Sequence, residues 1–406
     1  MRKHLNDNEK IEFKYLLELV SSSVNKTAPP IPYEGIKWQS IKMLANYCSV
    51  ESLVANAVLS LDKKYVSPEV YEKFKQNLSV EMLIDGNLSY ETEKILKAFD
   101  ENKIKNIPLK GYFMKKEYPR SDFRSVSDVD ILFDIKQADS VKKVFSKLGY
   151  TFLNEDDNQY HFEKKPMMNI EMHATLVHEN EESYPLLVNQ LDRSTKRDGY
   201  SYSYEISHED FYIYMLVHNS NHFRIGGMGA RMVLDSYVFL KNHQSELDYD
   251  YLNVMLEKIG IAKYEKRVRE IAFNWFAKPQ AELKFDDIEE YILLSGTLGR
   301  VDVGTMINSH KTITENNKSK FSYLVSSIFP PKSEMQYKYP YVKKIPFLLP
   351  ISWCHMWGKR LFVDRNINFK SGIKNRMSYT DEDVKLYKSL LDEMGFDGIG
   401  INNFGN

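Results

Sequence analysis

The chain has 406 residues, more than one ordinary domain, and its 43% apolar and 27% charged side chains exclude long disorder and predict two or three packed units. Lysine plus arginine (55) nearly balances aspartate plus glutamate (56), so no global field draws the chain to nucleic acid or an anionic membrane, and any polyanion site has to be local. Cys48 and Cys354 stand far apart in no metal-ligand spacing, which argues against a disulfide framework and fits a cytoplasmic location.

Met1 to Phe13 holds no apolar run, so no signal peptide is expected. From about Glu9 to Asp100 apolar residues recur at helical spacing, for example Ile41, Leu44 and Ala45, then Leu53, Ala57 and Leu61. Breaks fall at Pro29 to Pro32 and near Ser67-Pro68. Residues 1–83 are therefore read as an N-terminal helical region. A helix from about Val80 to Asn102 leads into a short strand-like run, Ile104 to Leu109.

The period then changes. Val129, Ile131 and Phe133 alternate with Asp128, Asp130 and Leu132 as in a strand, and Ala138 to Leu148 has the spacing of an amphipathic helix. Tyr150 to Leu153, Tyr160 to Glu163 and Asn169 to Leu176 read as further strands. Residues 84–206 are thus expected to form an α/β core and the chain to be of the α+β class, with a C-terminal helical domain at 207–406. Helices there are expected at Phe211 to Phe223, Met228 to Leu240, Tyr251 to Ile259 and Tyr264 to Phe276. Arg224 to Arg231 and Ser295 to Gly304 read as loops, Asn308 to Lys320 as a polar surface loop, and the last ten residues as a frayed end. The apolar stretch from Ile345 to Trp357 is too short for a bilayer span and is broken by Pro346 and Pro350, so it is read as core or an interdomain seam.

The chemistry concentrates between Ile107 and Asp134. Side chains two apart on a strand share a face, so Asp128 and Asp130 can present their carboxylates together. Two adjacent anions are costly without a cation, and Mg²⁺ (or Mn²⁺) suits hard carboxylate oxygens while leaving positions for water and phosphate. Upstream, Lys110-Gly111 reads as a strand-to-helix turn where glycine permits close approach and a helix start favours phosphate. Between Glu101 and Ser127 seven basic residues face three acids, a local positive zone in a neutral chain. A third carboxylate is expected from a neighbouring strand; Glu171 is the candidate, with Glu163 competing, and His173 shares the face of Glu171. The glutamate would complete the metal shell or act as general base, and the histidine would hold a phosphate or orient the glutamate. Arg124 has two readings, a triphosphate contact or an ion pair with Asp122 or Asp128. His218 and His222, four apart on one helix face, are read as packing or hydrogen-bonding groups facing the catalytic unit, and Arg231 as a local partner of Asp235.

Leu109-Lys110-Gly111, Arg124, Asp128-Val129-Asp130 and Glu171-Met172-His173 together resemble the nucleotidyltransferase superfamily that includes DNA polymerase beta. Within it the resemblance is to an uncharacterised bacterial nucleotidyltransferase family, and it runs from about Trp38 past His218 to near Pro350. The usual Gly-Ser turn of the superfamily is replaced by Lys110-Gly111, and the gap to the acids is longer. The resemblance implies a small mixed sheet of nucleotidyltransferase type, a nucleoside triphosphate donor such as ATP, Mg²⁺, and transfer of a nucleoside monophosphate to an unidentified acceptor hydroxyl or amine with release of pyrophosphate. On this reading Asp128, Asp130 and Glu171 hold the metal, Lys110, Gly111, Arg124 and His173 bind the nucleotide, and the later helices wall one side of the cleft, with Arg231 or His218 as a further substrate contact. Two rival readings stand beside it: a nucleotide-binding or partner-binding module with weak catalysis, and a toxin transferring nucleotides to RNA or protein. Nucleic acid is not indicated as a partner, and no membrane span is expected.

Overall fold

The computed structural model describes residues 4–156, 159–179, 181, 183–277, 283–297, 299, 303, 329–362 and 380–396. Two compact units are present, one of His4–Phe223 with Met228–Leu298, the other of Arg224–Gly227 with the described part of Gly299–Asn406. No described helix is long and apolar enough to cross a membrane.

The first unit begins with α1 (Asp7–Asn25), started by a reciprocal capping box between Asn6 and Glu9 that satisfies two of its orphan amides. It packs with α2 (Trp38–Tyr47) and α3 (Glu51–Leu59), and the Ser23 hydroxyl donates to Leu53 O at 2.7 Å. Next comes α4 (Pro68–Glu101), which begins earlier than its apolar spacing suggests. Ser67 caps it and Pro68 occupies its first turn, so the dipeptide that reads as a break is a helix start.

The C-terminal half of α4 carries Leu88, Ile95, Leu96 and Phe99 onto one face of a mixed five-stranded sheet. Its strands are β1 (Asn106–Pro108), β2 (Val129–Phe133), β3 (Thr151–Asp156), β4 (Gln159–Lys164) and β5 (Met168–His173), in the order β1-β2-β5-β4-β3. Only β2 and β5 run parallel; the other neighbours are antiparallel. Short α5 (Lys110–Met114) follows β1, and α6 (Ala138–Lys147) joins β2 to β3. The observed class is α+β, as expected.

Strand alternation divides the sheet chemically. Val129, Ile131 and Phe133 of β2 and Ile170 and Met172 of β5 join α4 and α6 in one apolar core. Asp130, Glu171 and His173 therefore point to the opposite face. In the core Phe145 of α6 stacks on Phe162 with ring centroids 4.1 Å apart and meets the edge of Phe99 at 5.5 Å.

After β5 come α7 (Tyr184–Leu187), α8 (Gln190–Arg193) and the two-stranded pair β6 (Thr195–Lys196) and β7 (Tyr204–Glu205). Then follow α9 (His208–Ile225), α10 (Ala230–His243), α11 (Tyr249–Ile259), α12 (Ala262–Phe276) and α13 (Asp287–Leu293). Phe211 of α9 stacks on Phe113 of α5 at 4.0 Å, bringing α9 to the acidic side of the sheet. The α1 and α12 helices close on each other, and the Ser21 hydroxyl donates to Phe276 O at 2.7 Å.

The second unit contains α14 (Lys332–Lys338), α15 (Tyr341–Lys344), α16 (Leu349–Phe362) and α17 (Asp381–Glu393). The Tyr387 hydroxyl of α17 donates to Arg224 O. The stretch from Ile345 to Trp357, expected in a core or seam, is only partly interior. Ser352 and Met356 are buried, whereas Phe347 is 81% exposed and Ile351 58%, because a helix turns only one stripe of an apolar run inward. The polar stretch from Asn308 to Lys320 and the last ten residues lie outside the described residues.

Phe145→Ala removes the ring that joins α6 to α4 and β4 and should cost about 3–5 kcal/mol of stability. Urea melts followed by circular dichroism check this; a loss below about 1 kcal/mol would show that the ring is not a core anchor.

Candidate functional site

Parallel pairing of β2 with β5 sets Asp130 directly opposite Glu171. Because Leu132 pairs with His173, the histidine lies one pleat further along the same acidic face. Its Nε2 stands 2.7 Å from Asp130 Oδ1 and 3.8 Å from Glu171 Oε2, so it bridges both carboxylates. Ligand atoms of Asp130, Glu171 and His173 all lie within 4.8 Å of one another. Asp128 precedes β2 by one residue and sits one pleat before Asp130; its carboxylate accepts from the Ser127 hydroxyl. It lies outside the cluster of three but close enough to Glu171 to act on its charge. Glu163 pairs across with Asn169, a pleat away from Glu171, and its carboxylate meets Lys165 at 3.4 Å. Of the two glutamates weighed in the sequence, Glu171 is thus the one facing Asp130.

Lys110 reaches the same aspartate. The Leu109 amide donates to Asp130 O at 2.9 Å, extending the β1–β2 ladder and delivering the next residue beside the carboxylate. Lys110 Nζ then donates to Asp130 Oδ1 at 2.8 Å. Its backbone takes φ 38°, a left-handed conformation costing about 1–2 kcal/mol for a side chain with a Cβ. That conformation directs the side chain to the Asp130 carboxylate.

The two carboxyls are driven apart electrostatically. Burial alone would raise Asp130, but the Lys110 charge and the His173 hydrogen bond prevail and hold its pKa well below the usual carboxylate range. Burial raises Glu171, and the negative charges of Asp130 and Asp128 raise it further. Lys110 is held above its ordinary value: burial opposes the ammonium, while Tyr214 and Asp130 outweigh that opposition.

The opposite wall comes from α9. Tyr214, His218 and His222 recur every fourth residue and so share one face. The two imidazoles meet edge to face at 4.6 Å. His218 is pushed well below its usual pKa by burial, then by the charge of Lys110, and His222 moves the same way for the same reasons. Both are neutral at pH 7. Burial raises the Tyr214 phenol, which sits beside Lys110. Sequence reasoning singled out the histidines and missed the tyrosine one turn earlier, although the four-residue spacing carries it. It also missed His161 of β4, whose Nδ1 lies 3.8 Å from Glu171 Oε1.

Gly111 and Arg124 serve a different contact. A Cβ on Gly111 would stand 2.6 Å from Arg124 Nη1 and 3.1 Å from Val126 Cγ2, so the close approach that requires glycine here is by the arginine. Of the ion-pair partners expected for Arg124, neither Asp122 nor Asp128 is taken: it donates to Asp235 of α10, at 2.9 Å from Nη2 and 3.3 Å from Nε. The Tyr118 hydroxyl also donates to Asp235, at 2.7 Å. Asp122 is paired with Arg120. Arg231, expected to pair with Asp235, instead donates from Nη1 to Ser125 O at 3.3 Å, and its buried Nε has no hydrogen-bond partner among the described residues.

With this arrangement in view, the comparisons with known proteins are informative. Residues 34–277 match the model of a family described as uncharacterised nucleotidyltransferases, and the chain belongs to that family. The protein is accordingly an enzyme of the nucleotidyltransferase class. Among solved structures the chain is similar to the antibiotic-resistance factor ANT(2'')-Ia in solution, at 13% identity and a TM-score of 0.33, covering 47% of this chain and 96% of that one. No curated protein matches the chain.

The depressed histidines give a pH signature. Their unfolded pKa is near 6.5, so below about that pH the unfolded chain takes up protons that the folded chain does not, and stability falls as pH drops. Melting temperature should decline from pH 7.5 to pH 5.5, and the decline should be shallower in His218→Gln. An unchanged slope in that variant would mean that His218 titrates normally in the fold.

Proposed function

We propose that the face formed by Asp130, Glu171 and His173, with Lys110 beside it and Asp128 at its rim, transfers a nucleoside monophosphate from a nucleoside triphosphate to an acceptor hydroxyl or amine. The observation that carries this reading is the parallel β2–β5 pairing, which sets Asp130 opposite Glu171 beside a half-buried lysine in a chain of the nucleotidyltransferase family.

The donor set fits a divalent cation. Two acids and a histidine converge with Asp128 at the rim, and the upward push on Glu171 from the charges of Asp130 and Asp128 is a repulsion that a bound cation relieves. Asp130 and Glu171, with Asp128, would hold it, and Mg²⁺ or Mn²⁺ suits oxygen ligands better than a softer ion does. Such an ion would stabilise negative charge developing on the α-phosphate and on the leaving pyrophosphate.

The chain's own groups supply the rest. His173 donates from Nε2 to Asp130 Oδ1 and so holds the carboxylate in one orientation. Lys110, charged and half-buried beside Asp130, supplies a phosphate contact. Arg231, with a free Nε and standing near enough to Asp128 to feel its charge, is the second cationic group available to the triphosphate. Arg124 acts through Asp235, fixing the segment before β2 against α10. Glu171 has a second role open to it: where its oxygens do not ligate the cation, it takes the acceptor's proton. The acceptor oxygen or nitrogen bonds to the α-phosphorus, the bond from that phosphorus to the pyrophosphate oxygen breaks, and the displaced electron pair leaves with pyrophosphate.

The test is incubation of the protein with each α-labelled nucleoside triphosphate, Mg²⁺ or Mn²⁺, and fractionated small molecules, RNA or protein, reading both pyrophosphate and labelled product. The wild-type protein should label one class of acceptor. Asp130→Asn and Glu171→Gln should each lower turnover at least about 100-fold, in line with losing one charge-stabilising group, while the fold is retained. Turnover within about threefold of wild type in Asp130→Asn would overturn the assignment.

A further inference from the structure

Away from the acidic face, the start of α9 and the end of α10 bring together a second set of metal-ligating groups. His208 is the first residue of α9, His243 is the last of α10, and Glu246 follows three residues on. A ring nitrogen of each histidine and a carboxylate oxygen of Glu246 all lie within 4.8 Å of one another. The two imidazoles lie with centroids 3.9 Å apart, and both pack on the ring of Phe239, which shields their inner side.

The hydrogen bonding of His243 separates this cluster from an ordinary surface pair. Glu117 Oε2 lies 2.7 Å from His243 Nε2 and also accepts from Asn242 Nδ2 at 2.9 Å. A carboxylate on Nε2 fixes the ring hydrogen there and leaves a lone pair on Nδ1. That Nδ1 is buried and has no hydrogen-bond partner among the described residues, and it faces Glu246 Oε2 at 3.8 Å. An acceptor aimed at an anion is unfavourable unless a proton or a metal ion takes both, and a metal ion is the occupant that also uses the His208 ring nitrogen.

We propose that His208, His243 and Glu246 form a zinc site in which Glu117 orients His243. Two imidazoles and one carboxylate are a donor set for a borderline-soft ion and a poor one for Mg²⁺ or Ca²⁺, which prefer oxygen ligands throughout. Tetrahedral Zn²⁺ with Zn–N near 2.0–2.1 Å sets its donors about 3.3 Å apart, so the cluster has to contract. Glu246 is 67% exposed and can re-aim to do this. Three protein donors leave the fourth position to water. The ion clips the first turn of α9 to the last turn of α10, the helices that carry Tyr214 and His218 on one side and Asp235 on the other.

The experiment is titration of the full-length chain with Zn²⁺ alone in competition with a chromophoric chelator. Because the acidic face offers rival ligands, Asp130→Asn/Glu171→Gln is titrated in parallel. The expected result is one Zn²⁺ per chain in that double variant, and in the wild type the same site plus at most one further Zn²⁺ on the acidic face. Affinity should fall at least about 10-fold in His208→Ala and in Glu246→Gln, and about 10–100-fold in Glu117→Gln through lost orientation of His243. Glu246→Gln alters an exposed side chain, so its result does not depend on the stability of His208→Ala. The proposal is overturned if the wild type binds no Zn²⁺, if Glu246→Gln and His208→Ala bind it as the wild type does, or if binding disappears in the double variant.

Discussion

The acidic side of the sheet depends on one constraint: a nearly fully buried carboxylate, Asp130, has to stay ionised. A lone carboxylate at that depth would take up a proton or destabilise the fold. Here one oxygen, Oδ1, accepts from Lys110 Nζ at 2.8 Å and lies 2.7 Å from His173 Nε2. The left-handed backbone of Lys110, the continuation of the β1–β2 ladder through Leu109 and the register of β5 together bring those partners to that atom.

The same logic extends one layer out. Asp235 is a second buried acid, and it is satisfied by Arg124 and Tyr118, which lie in the segment between α5 and β2. That segment has little regular structure of its own, so its path is set by these contacts with α10. Gly111 admits the arginine, and Val126 closes over the glycine. Since β2 begins only a few residues beyond Arg124, the pairing with α10 helps determine where Asp128 and Asp130 emerge.

Local patterns made much of this legible before any coordinates. A period of two along Val129 to Phe133 and again along Ile170 to His173 is enough to put Asp130, Glu171 and His173 on the polar sides of their strands. Which strands lie side by side is a non-local fact. Between β2 and β5 the chain passes through α6, β3 and β4, and only the assembled sheet order makes Asp130 and Glu171 opposite neighbours. Arg124 illustrates the limit most clearly. Its sequence neighbours Asp122 and Asp128 are the obvious partners, yet Asp122 is taken by Arg120 and the arginine pairs with Asp235, 111 residues away. Charge spacing along a chain predicts pairs within a helix turn and is silent on pairs made by packing. The Ile345 to Trp357 stretch fails for another reason: hydrophobicity alone does not say which stripe of a short helix turns inward.

The two carboxylates of the acidic face have the same chemistry and opposite environments, which bears on the reaction proposed for them. Asp130 is held as a permanent anion by a cation and a hydrogen-bond donor, so it has no proton to exchange near neutral pH. Glu171, half-buried and facing two like charges, binds a proton more readily than a free glutamate does. On the proposed reading the two acids divide labour, the fixed anion binding charge and the perturbed one, where it is not a cation ligand, moving protons. Lys110 and His173 contact Asp130 rather than Glu171 at hydrogen-bond distance. On the proposed reading, the asymmetry of the site lies in which acid Lys110 and His173 contact, with the β2–β5 register supplying the second acid.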